Sequence, residues 1–395
     1  MRRTQTLLPV LISLLTASPA HAGGFRLPDV SAVGVAVANA LVANPVEDGA
    51  IPVNPAAMSF QPGNGVIGGG LMIIDFGTEV TRTGTTVKSD SNTPIPIPSF
   101  YLSRKLDDTW SVGLNINAPF GLATRWPANT FAAADPTLSR IKLVNINPNV
   151  AAMIGDKTSV SVGLAHYRIT DIVQDSSTNF MRGSGDETGY HLGVMHVEDG
   201  WSLGASYRSQ ITVPVEGTLN TVLPIAVDFA LPELLQVGAR VELTDKLAVE
   251  YDIERVGWGA YDESRIYNRV TGATVSNSVN RWRDTTTHRV GVTYQLNDRT
   301  DLMFGYLDDQ NPQPMDRFSP RLPALDYQGY SIGVGHRIGQ FRLVASYQYL
   351  DFQDRNVNNP TPFGTYGTDG NGTTIYNGDY ASFSHQVGLG ISATF

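Results

Sequence analysis

Apolar and polar residues alternate with a period of two along most of this chain. Residues 110–117 read WSVGLNIN, so Trp, Val, Leu and Ile fall on one face and Ser, Gly and two Asn on the other. Residues 247–254 and 386–395 repeat the pattern. Such alternation predicts β-strands with one apolar face. It does not by itself separate a soluble β-sandwich from a membrane barrel, because both architectures use two-faced strands.

The lengths of the links between strands separate these two architectures. The pattern predicts fourteen strands, at 65–76, 95–106, 109–119, 140–154, 158–172, 187–198, 201–213, 228–243, 246–258, 284–297, 300–308, 326–338, 340–351 and 383–395. Short links with turn residues lie at 107–108, 155–157, 199–200, 244–245, 297–299 and 339–340, and the long links include 120–139, 259–283, 309–325 and 352–382. Short and long links alternate strictly, as periplasmic turns and extracellular loops do in outer-membrane barrels. The sequence therefore predicts an all-β fold, a 14-stranded antiparallel transmembrane β-barrel.

The first residues have the form of an export signal. Arg2 and Arg3 precede an apolar stretch at 7–15, and Ala20-His21-Ala22 is a small-x-small cleavage site. We therefore expect residues 1–22 to be a cleaved signal peptide. The last residue, Phe395, lies on the apolar face of the last strand and resembles the terminal signature that the barrel assembly machinery recognises.

Composition narrows the possible functions. The chain has 28 basic and 37 acidic residues, a formal net charge of −9, which argues against nucleic acid as a partner. It has no cysteine, which excludes a disulfide scaffold or a thiol site. We expect no cofactor and no metal, because the GNGVIG stretch at 63–68 lacks the strand-then-helix context of a dinucleotide site. The Gly/Asn-rich stretch 369–372 is a weak calcium candidate.

Residues 23–63 do not have the strand pattern. Ser31 is placed to cap a short helix over residues 32–40, and Pro45, Pro52 and Pro55 then interrupt the chain. A fourteen-strand lumen is too wide for strand side chains to fill, so this apolar segment is a candidate hatch, or plug. The alternative is a flexible periplasmic tail. The predicted organisation is thus a hatch at 23–63 and a barrel at 64–395.

Several short motifs resemble the FadL family of outer-membrane transporters for hydrophobic compounds, which includes fatty-acid and toluene transporters. They are Gly24-Phe25, residues 46–50, Asn54-Pro55-Ala56, residues 120–126, 207–209 and 231–233, Trp258, residues 282–284 and 309–314, and Arg317. Each motif is short, but they occur in family order over essentially the whole mature chain. The resemblance implies a monomeric, plugged barrel in the outer membrane, in contact with its lipid and lipopolysaccharide, that transports hydrophobic small molecules passively.

The resemblance also implies roles for particular residues. Gly24, Phe25, Asn54, Pro55 and Ala56 would belong to the hatch and its gating. Substrate would leave sideways at an inward kink of the third strand, which maps to Pro119, Phe120 and Gly121. Proline lacks a ladder donor and glycine tolerates unusual dihedrals, so a local break there is physically reasonable, although these residues could equally end the strand.

The fatty-acid members have basic residues near their pocket, and here the match fails. Residues 172–175 read IVQD, without a base at the expected place. Arg168, Arg281 and Arg283 are the substitutes we consider, and the missing base favours an uncharged hydrocarbon. Lumen-facing arginines such as Arg208, Arg240 and Arg289 are expected to pair with interior acids.

Two rival classes of function remain open in the sequence, a porin and a purely structural or adhesive barrel, which would show no solute-dependent phenotype. A general or substrate-selective porin is the alternative transporter, and it would need an open lumen. An enzyme is not favoured, because no spacing joins His288, His336 or His385 to a serine. We therefore predict no catalytic residues.

Overall fold

The structure, a computed structural model, describes residues 24–27, 29–89, 94–131, 137–365 and 370–395. The expected signal peptide, 1–22, lies outside the described residues. Strands form a closed wall, numbered here β1 Gly65–Arg82, β2 Ile95–Lys105, β3 Trp110–Asn117 and Gly121–Arg125, β4 Leu138–Ile154, β5 Thr158–Asp175, β6 Phe180–Glu198, β7 Trp201–Arg208 and Ile211–Leu219, β8 Leu223–Leu231 and Leu234–Thr244, β9 Leu247–Val256 continued by Glu263–Asn268, β10 Thr274–Val279 and Thr285–Asn297, β11 Thr300–Asp309, β12 Tyr327–Ile338, β13 Phe341–Phe352 and β14 Gly378–Thr394. Short extra strands, Thr85–Lys88 and Arg355–Val357, extend β1 and β14 beyond the wall.

The fourteen strands form one closed antiparallel barrel. Each strand pairs with the next along the chain, and β1 pairs with β14 from Val66↔Thr394 to Thr81↔Asp379, which closes the sheet. The predicted fold class and strand number are confirmed. Closure leaves no free strand edge around most of the wall, which is the condition for a sheet to sit in lipid.

The two faces of the wall follow the period-two pattern. On β14, Val387, Leu389 and Ile391 are about half exposed on the outer face, whereas Gln386 and Ser392 are buried against the interior. On β9, Glu250 and Asp252 are buried on the inner face. Apolar side chains thus point out of the barrel and polar ones into it, the reverse of a soluble protein and as a lipid-facing barrel requires.

The six short turns that the sequence predicts all lie at one end of the barrel. Two of the links at the opposite end are shorter than the sequence indicated, because the strands beside them are longer. β5 runs on to Asp175 and β6 begins at Phe180, and β7 and β8 are joined across residues 220–222. The predicted strict alternation of short and long links is therefore wrong at these two hairpins.

Residues 24–63, called here the N-terminal segment, contain helices and loops. Ser31 caps helix α1, Ala32–Ala36, by accepting a hydrogen bond from the Gly34 N–H at 3.0 Å, as predicted. The helix is shorter than predicted, because Ala38 and Asn39 have positive φ angles of 52° and 56° and turn the chain. Short 3₁₀ helices follow at Asp48–Ala50 and Pro55–Ser59. None of the helices in the described part of the chain is long and apolar enough to cross a membrane.

Candidate binding cavity and wall opening

The N-terminal segment lies against the inner face of the barrel wall, near the end with the short turns. Its side chains are mostly apolar and buried, so its irregular backbone must find hydrogen bonds elsewhere. Polar side chains of the wall provide them. The backbone carbonyls of Ala32, Ala38, Asn39, Ala43, Pro52 and Val53 accept from Ser346, Arg289, Gln236, Ser202, Arg208 and Ser206, respectively, at 2.6–3.1 Å.

Two buried acids of β9 bind backbone donors of the same segment. Asp252 accepts hydrogen bonds from the Leu41 and Val42 N–H groups at 2.9 and 3.1 Å, and Glu250 accepts from the Ala43 N–H at 2.7 Å. Interior acids of this kind were expected to pair with lumen-facing arginines. They serve the N-terminal segment instead, whereas Arg240 does pair with an acid, Glu242, at 2.9 Å.

Lumen-facing glycines of the wall let the segment approach closely. A Cβ at Gly204 would lie 1.9 Å from the Val42 carbonyl oxygen, and one at Gly305 would lie 2.4 Å from the Ala38 nitrogen. A Cβ atom would also lie close to atoms of the segment at six further glycines: Gly113, Gly193, Gly291, Gly333, Gly388 and Gly390. These positions fix the segment by shape as well as by hydrogen bonds.

Asn54, Pro55 and Ala56 form the start of a 3₁₀ helix deep in this interface. The Asn54 carboxamide accepts from the Ala56 N–H at 3.2 Å and donates to the Val42 and Val194 carbonyls at 2.8 and 3.0 Å. Asn54 thereby joins two turns of the segment to β6, and Pro55 occupies the first helical position, where no N–H is needed.

Ion pairs hold the first described residues of the segment. Arg26 pairs with Glu254 of β9, and Arg289 of β10 lies 3.7 Å from the same carboxylate. Burial raises the pKa of the nearby Asp29 carboxyl to about 6, while the Arg289 and Arg26 guanidiniums act in the opposite direction. These groups anchor the beginning of the N-terminal segment to β9 and β10.

Phe25 lies at the centre of an aromatic cluster. Its ring centroid is 4.6 Å from that of Trp258, 5.5 Å from that of Tyr261 and 5.8 Å from that of Trp282. Gly24 has a φ of +66°, and a Cβ there would lie 2.6 Å from the Trp258 ring, so glycine is required. Trp258 and Trp282 lie near strand ends, where aromatic residues of a membrane barrel often form an outer girdle, but both are buried in the interior.

The third strand is interrupted where the sequence indicated. It breaks after Asn117 and resumes at Gly121, so Pro119, Phe120 and Gly121 form a kink and do not end the strand. The kink pairs with the N-terminal segment: the Leu27 N–H donates to the Pro119 carbonyl and the Gly121 N–H to the Phe25 carbonyl, both at 3.0 Å. The Phe120 side chain is buried, and its ring centroid lies 6.0 Å from that of Phe25.

The kink leaves a gap in the wall, between residues 94–99 of the β2 side and 118–125 of the β3 side. β3 pairs with β2 only between Lys105↔Ser111 and Phe100↔Ile116. After the kink, Gly121–Arg125 pairs with β4. The described part of the chain therefore has no β2–β3 pairing along this stretch, called here the wall gap.

An apolar cavity with about 100 Å³ of interior space lies in the half of the barrel with the long links. It is lined mainly by aliphatic and aromatic side chains, among them Ile141, Val173, Val215, Phe229, Tyr261 and Trp282. Polar residues also line it, among them Arg140, Arg182, Arg321 and Asn280. Mainly apolar walls with several polar groups are typical of a small-molecule site.

A second, larger cavity, with about 680 Å³ of interior space, extends from the N-terminal segment to the wall gap. Its lining includes Phe25, the kink, and residues 94–98 of the β2 side. Val144 and Thr170, which are exposed on the outer face of the wall, also line it, so it reaches the outside. The two cavities share four lining residues, Leu122, Arg140, Ile141 and Leu322. Phe25 lines the second cavity and packs against Tyr261 and Trp282, which line the first.

A cluster of two bases and one acid lies at the first cavity. Arg140 of β4 donates to Asp171 at 3.0 and 2.5 Å, and Arg182 of β6 donates to the other oxygen of the same carboxylate at 2.9 Å. Two cations share one anion, which leaves a net positive charge beside an apolar cavity. Such a site can receive the carboxylate of an amphiphile through charge-assisted hydrogen bonds.

The basic residues that the sequence suggested lie elsewhere. Arg168, Arg281 and Arg283 are exposed, and none of them lines either cavity. Arg168 is on the outer face of β5, while Trp282, between the two other arginines, is the residue that points inward. Sequence reasoning missed Arg140 and Arg182 because it searched β5 itself. Pairing places both beside Val173, with Arg140↔Val173 on one side and Val173↔Arg182 on the other.

The three histidines considered as catalytic candidates are hydrogen-bonded to tyrosine or threonine hydroxyl groups and not to a serine. His288 bonds to the Tyr251 hydroxyl at 2.7 Å, His385 to the Tyr347 hydroxyl at 2.8 Å and His336 to the Thr300 hydroxyl at 3.0 Å. Among the described residues, no group of three or more His, Asp or Glu side chains is placed to hold a metal ion. Asp369 of the calcium candidate lies outside the described residues. Asn371 of that stretch accepts a hydrogen bond from Arg321.

Comparison with known proteins places these features in a family context. The family model described as outer membrane protein transport protein (OMPP1/FadL/TodX) matches residues 13–395. The long-chain fatty acid transport protein of Escherichia coli is 21% identical, covering 88% of this chain and 91% of its own length. Outer membrane protein P1 of Haemophilus influenzae is 22% identical, with 89% and 90% coverage.

Solved structures share the fold. A FadL homologue of Pseudomonas aeruginosa superposes with a TM-score of 0.83 at 17% identity, covering 94% of this chain and all of that one. The toluene transporter TodX of Pseudomonas putida gives a TM-score of 0.70 at 18% identity, with 93% and 99% coverage. At these identities the likeness establishes the barrel architecture, and the substrate must be argued from the residues of this chain.

Proposed function

This chain belongs to the OMPP1/FadL/TodX family of outer membrane transport proteins. We propose that it transports hydrophobic molecules, either carboxylic acids or uncharged compounds, by passive, lateral passage through its wall. The observation that carries the proposal is an apolar cavity that shares four lining residues with a second cavity open to the outer face of the wall, with Phe25 of the second cavity packed against Tyr261 and Trp282 of the first. The protein is located in the outer membrane.

In this proposal, residues 23–63 act as a hatch and residues 64–395 as the barrel. The segment's many hydrogen bonds to wall side chains and the close glycine contacts favour a hatch that stays in place during transport. The first residues, 24–27, are held by fewer backbone contacts, chiefly the two hydrogen bonds at the kink. A hatch of this kind blocks a straight aqueous path, so the general-porin alternative is not favoured.

The route would begin in the first cavity and end at the wall gap. A hydrophobic molecule gains about 0.8 kcal/mol for each methylene that it buries, so the apolar lining concentrates it from water. Displacement of Phe25 would then join the two cavities, and the molecule would pass Pro119, Phe120 and Gly121 into the lipid. No step needs an energy source, and we assign no catalytic residue.

The cluster around Asp171 narrows the class of substrate. One of its two arginines is needed to balance the acid, so the other is available to a carboxylate that enters the first cavity. The available arginine favours a fatty acid or an aromatic acid as the substrate, whereas the missing base on β5 had favoured an uncharged hydrocarbon. Apart from the cluster, the cavity is apolar enough for an uncharged hydrocarbon as well.

Uptake assays in a host lacking its own fatty-acid transporter test the proposal. The chain is expected to restore uptake of radiolabelled oleate, and toluene is measured in parallel. The control is the same host with an empty vector. Failure of the folded barrel to raise uptake of either compound would contradict the proposal, and planar-bilayer conductance would then test for a porin.

Replacing Asn54 and Pro55, which cap and begin the 3₁₀ helix Pro55–Ser59 of the hatch, is expected to impair uptake without preventing assembly of the barrel. In Asn54→Ala/Pro55→Ala, the Val42 and Val194 carbonyls lose a buried donor, which costs about 1–3 kcal/mol for each unsatisfied group. Oleate uptake is measured beside heat-modifiable gel mobility, which reports the folded barrel. Normal uptake by a fully assembled double variant would remove the hatch from the mechanism.

We further propose the partners that such a barrel requires. The apolar outer face would contact outer-membrane lipid and, on its outer leaflet, lipopolysaccharide. The closed wall needs no neighbouring subunit, which favours a monomer. Phe395, half exposed at the end of β14, would be read by the barrel assembly machinery during biogenesis.

A further inference from the structure

The edge of β2 that faces the wall gap contains three prolines. Pro94, Pro96 and Pro98 alternate with Ile95 and Ile97, and all three line the second cavity. Pro96 and Pro98 are exposed on the outer face of the wall. Proline is normally excluded from the middle of a sheet, because it cannot donate a ladder hydrogen bond. Two of them in one transmembrane strand, and a third directly before it, therefore call for a physical reason.

The direction of the backbone groups can be read from the other end of β2. The Lys105 N–H donates to the Asn64 carbonyl, on the β1 side, and the Leu106 N–H donates to the Trp110 carbonyl, on the β3 side. Backbone groups alternate in direction along a strand, and β2 pairs with β1 without a register shift from Arg104 to Ile95. Even-numbered residues therefore direct their backbone groups toward β3. At positions 94, 96 and 98 that direction is the wall gap.

The prolines thus remove every N–H that this stretch of β2 would direct into the gap. An open edge with unpaired donors is very costly in lipid, where water cannot satisfy them. It would also be a template for pairing with another strand. The opposite edge of the gap is handled differently, because the N-terminal segment pairs with the kink through Leu27–Pro119 and Gly121–Phe25 hydrogen bonds.

We infer that Pro94, Pro96 and Pro98 determine the wall gap: they prevent β2 from pairing with β3 and closing the wall. Continuing the register of Phe100↔Ile116 would place Pro98 opposite Ala118 and Pro96 opposite Phe120. Without donors at these positions, the closed ladder cannot form when residues 24–27 move away. The transport consequence rests on the proposed lateral passage, whereas the closure itself is a separate structural property.

A cysteine pair across the gap measures closure directly, because the chain has no cysteine of its own. In the continued register, residues 95 and 121 are opposite each other, and a Cβ at Gly121 meets nothing closer than 3.7 Å. Ile95→Cys/Gly121→Cys is made with the native prolines and with Pro96→Val/Pro98→Val. Valine favours strands and suits a lipid-facing position. Pro148→Val is the matched control, because Pro148 is exposed on β4 but pairs with Leu114.

The expected result is that disulfide formation in the folded barrel becomes about tenfold faster with Pro96→Val/Pro98→Val and is unchanged with Pro148→Val. In the cysteine-free background, the same proline variant is expected to lose about tenfold in uptake. Equal cross-linking with and without the prolines would overturn the inference, whatever the uptake. Faster cross-linking with undiminished uptake would support the role of the prolines in the wall and contradict lateral passage.

Discussion

Oxidised Arg26→Cys/Phe120→Cys protein is expected to lose at least about tenfold of its uptake, and a reducing agent is expected to restore it. Arg26 and Phe120 form the antiparallel bridge between the N-terminal segment and the kink. The hydrogen bonds lie on either side of this pair, so it is a non-hydrogen-bonded pair, with Cα atoms about 4.5 Å apart. That separation is within the range of a disulfide.

The physical reason for the loss is that the disulfide fixes Phe25 in its cluster. Phe25 is next to the linked residue and packs against Trp258, and the route requires it to move from between the two cavities. The two single-cysteine variants, treated with the same oxidant, control for the lost Glu254 ion pair and the lost Phe120 ring. Undiminished uptake by the fully cross-linked barrel would mean that substrate does not pass Phe25.

The second large effect concerns the head group of the substrate. Arg140→Met/Asp171→Asn/Arg182→Met is expected to reduce oleate uptake about tenfold to a hundredfold and to leave toluene uptake unchanged. The arginines would bind a carboxylate through charge-assisted hydrogen bonds, which an uncharged hydrocarbon cannot form. Asp171 is neutralised in the same variant, because removal of its two partners would otherwise leave a buried, unpaired charge.

Asp171→Asn alone is the matched control, with an expected effect of opposite sign. It retains both arginines and releases them from their acid, so oleate should bind at least as tightly as to the native chain. Binding is measured with a fluorescent fatty acid on purified protein, and uptake is measured in cells. Unchanged oleate uptake in the triple variant would show that the cluster does not read a carboxylate, and an uncharged hydrocarbon would become the favoured substrate.

The bases beside the first cavity illustrate a limit of reading one strand at a time. The sequence of β5 lacks a base at residues 172–175, and on that stretch the reading was correct. The bases come from the strands on either side, and the register that brings them together includes irregularities at Lys142/Leu143 and at Ile169/Ile172. A bulge shifts every later pair by one residue, and no local pattern reveals it.

The tryptophans illustrate a different limit. Trp258 and Trp282 lie near strand ends, where aromatic girdles occur, and periodicity cannot tell an inward turn from an outward one there. In the structure the links after β9 and before the main part of β10 fold into the barrel, so both rings join the cluster around Phe25. Trp110 and Trp201, at the short-turn end, are instead about half exposed.

Residue order is sufficient for the properties that are local and repeated. A period of two over fourteen segments specified the strands, their lipid-facing sides and the number that closes the barrel, because each strand needs its own apolar face. Loss of that pattern marked the N-terminal segment, whereas at Pro119–Gly121 the residues left a kink and a simple strand end equally open, and only the family resemblance implied the kink. Tertiary structure alone decided which groups meet: Arg140 and Arg182 at Asp171, Phe25 between two cavities, and three prolines on an edge that β3 leaves. These meetings depend on registers and bulges between distant segments, which residue order constrains only after the whole wall has closed.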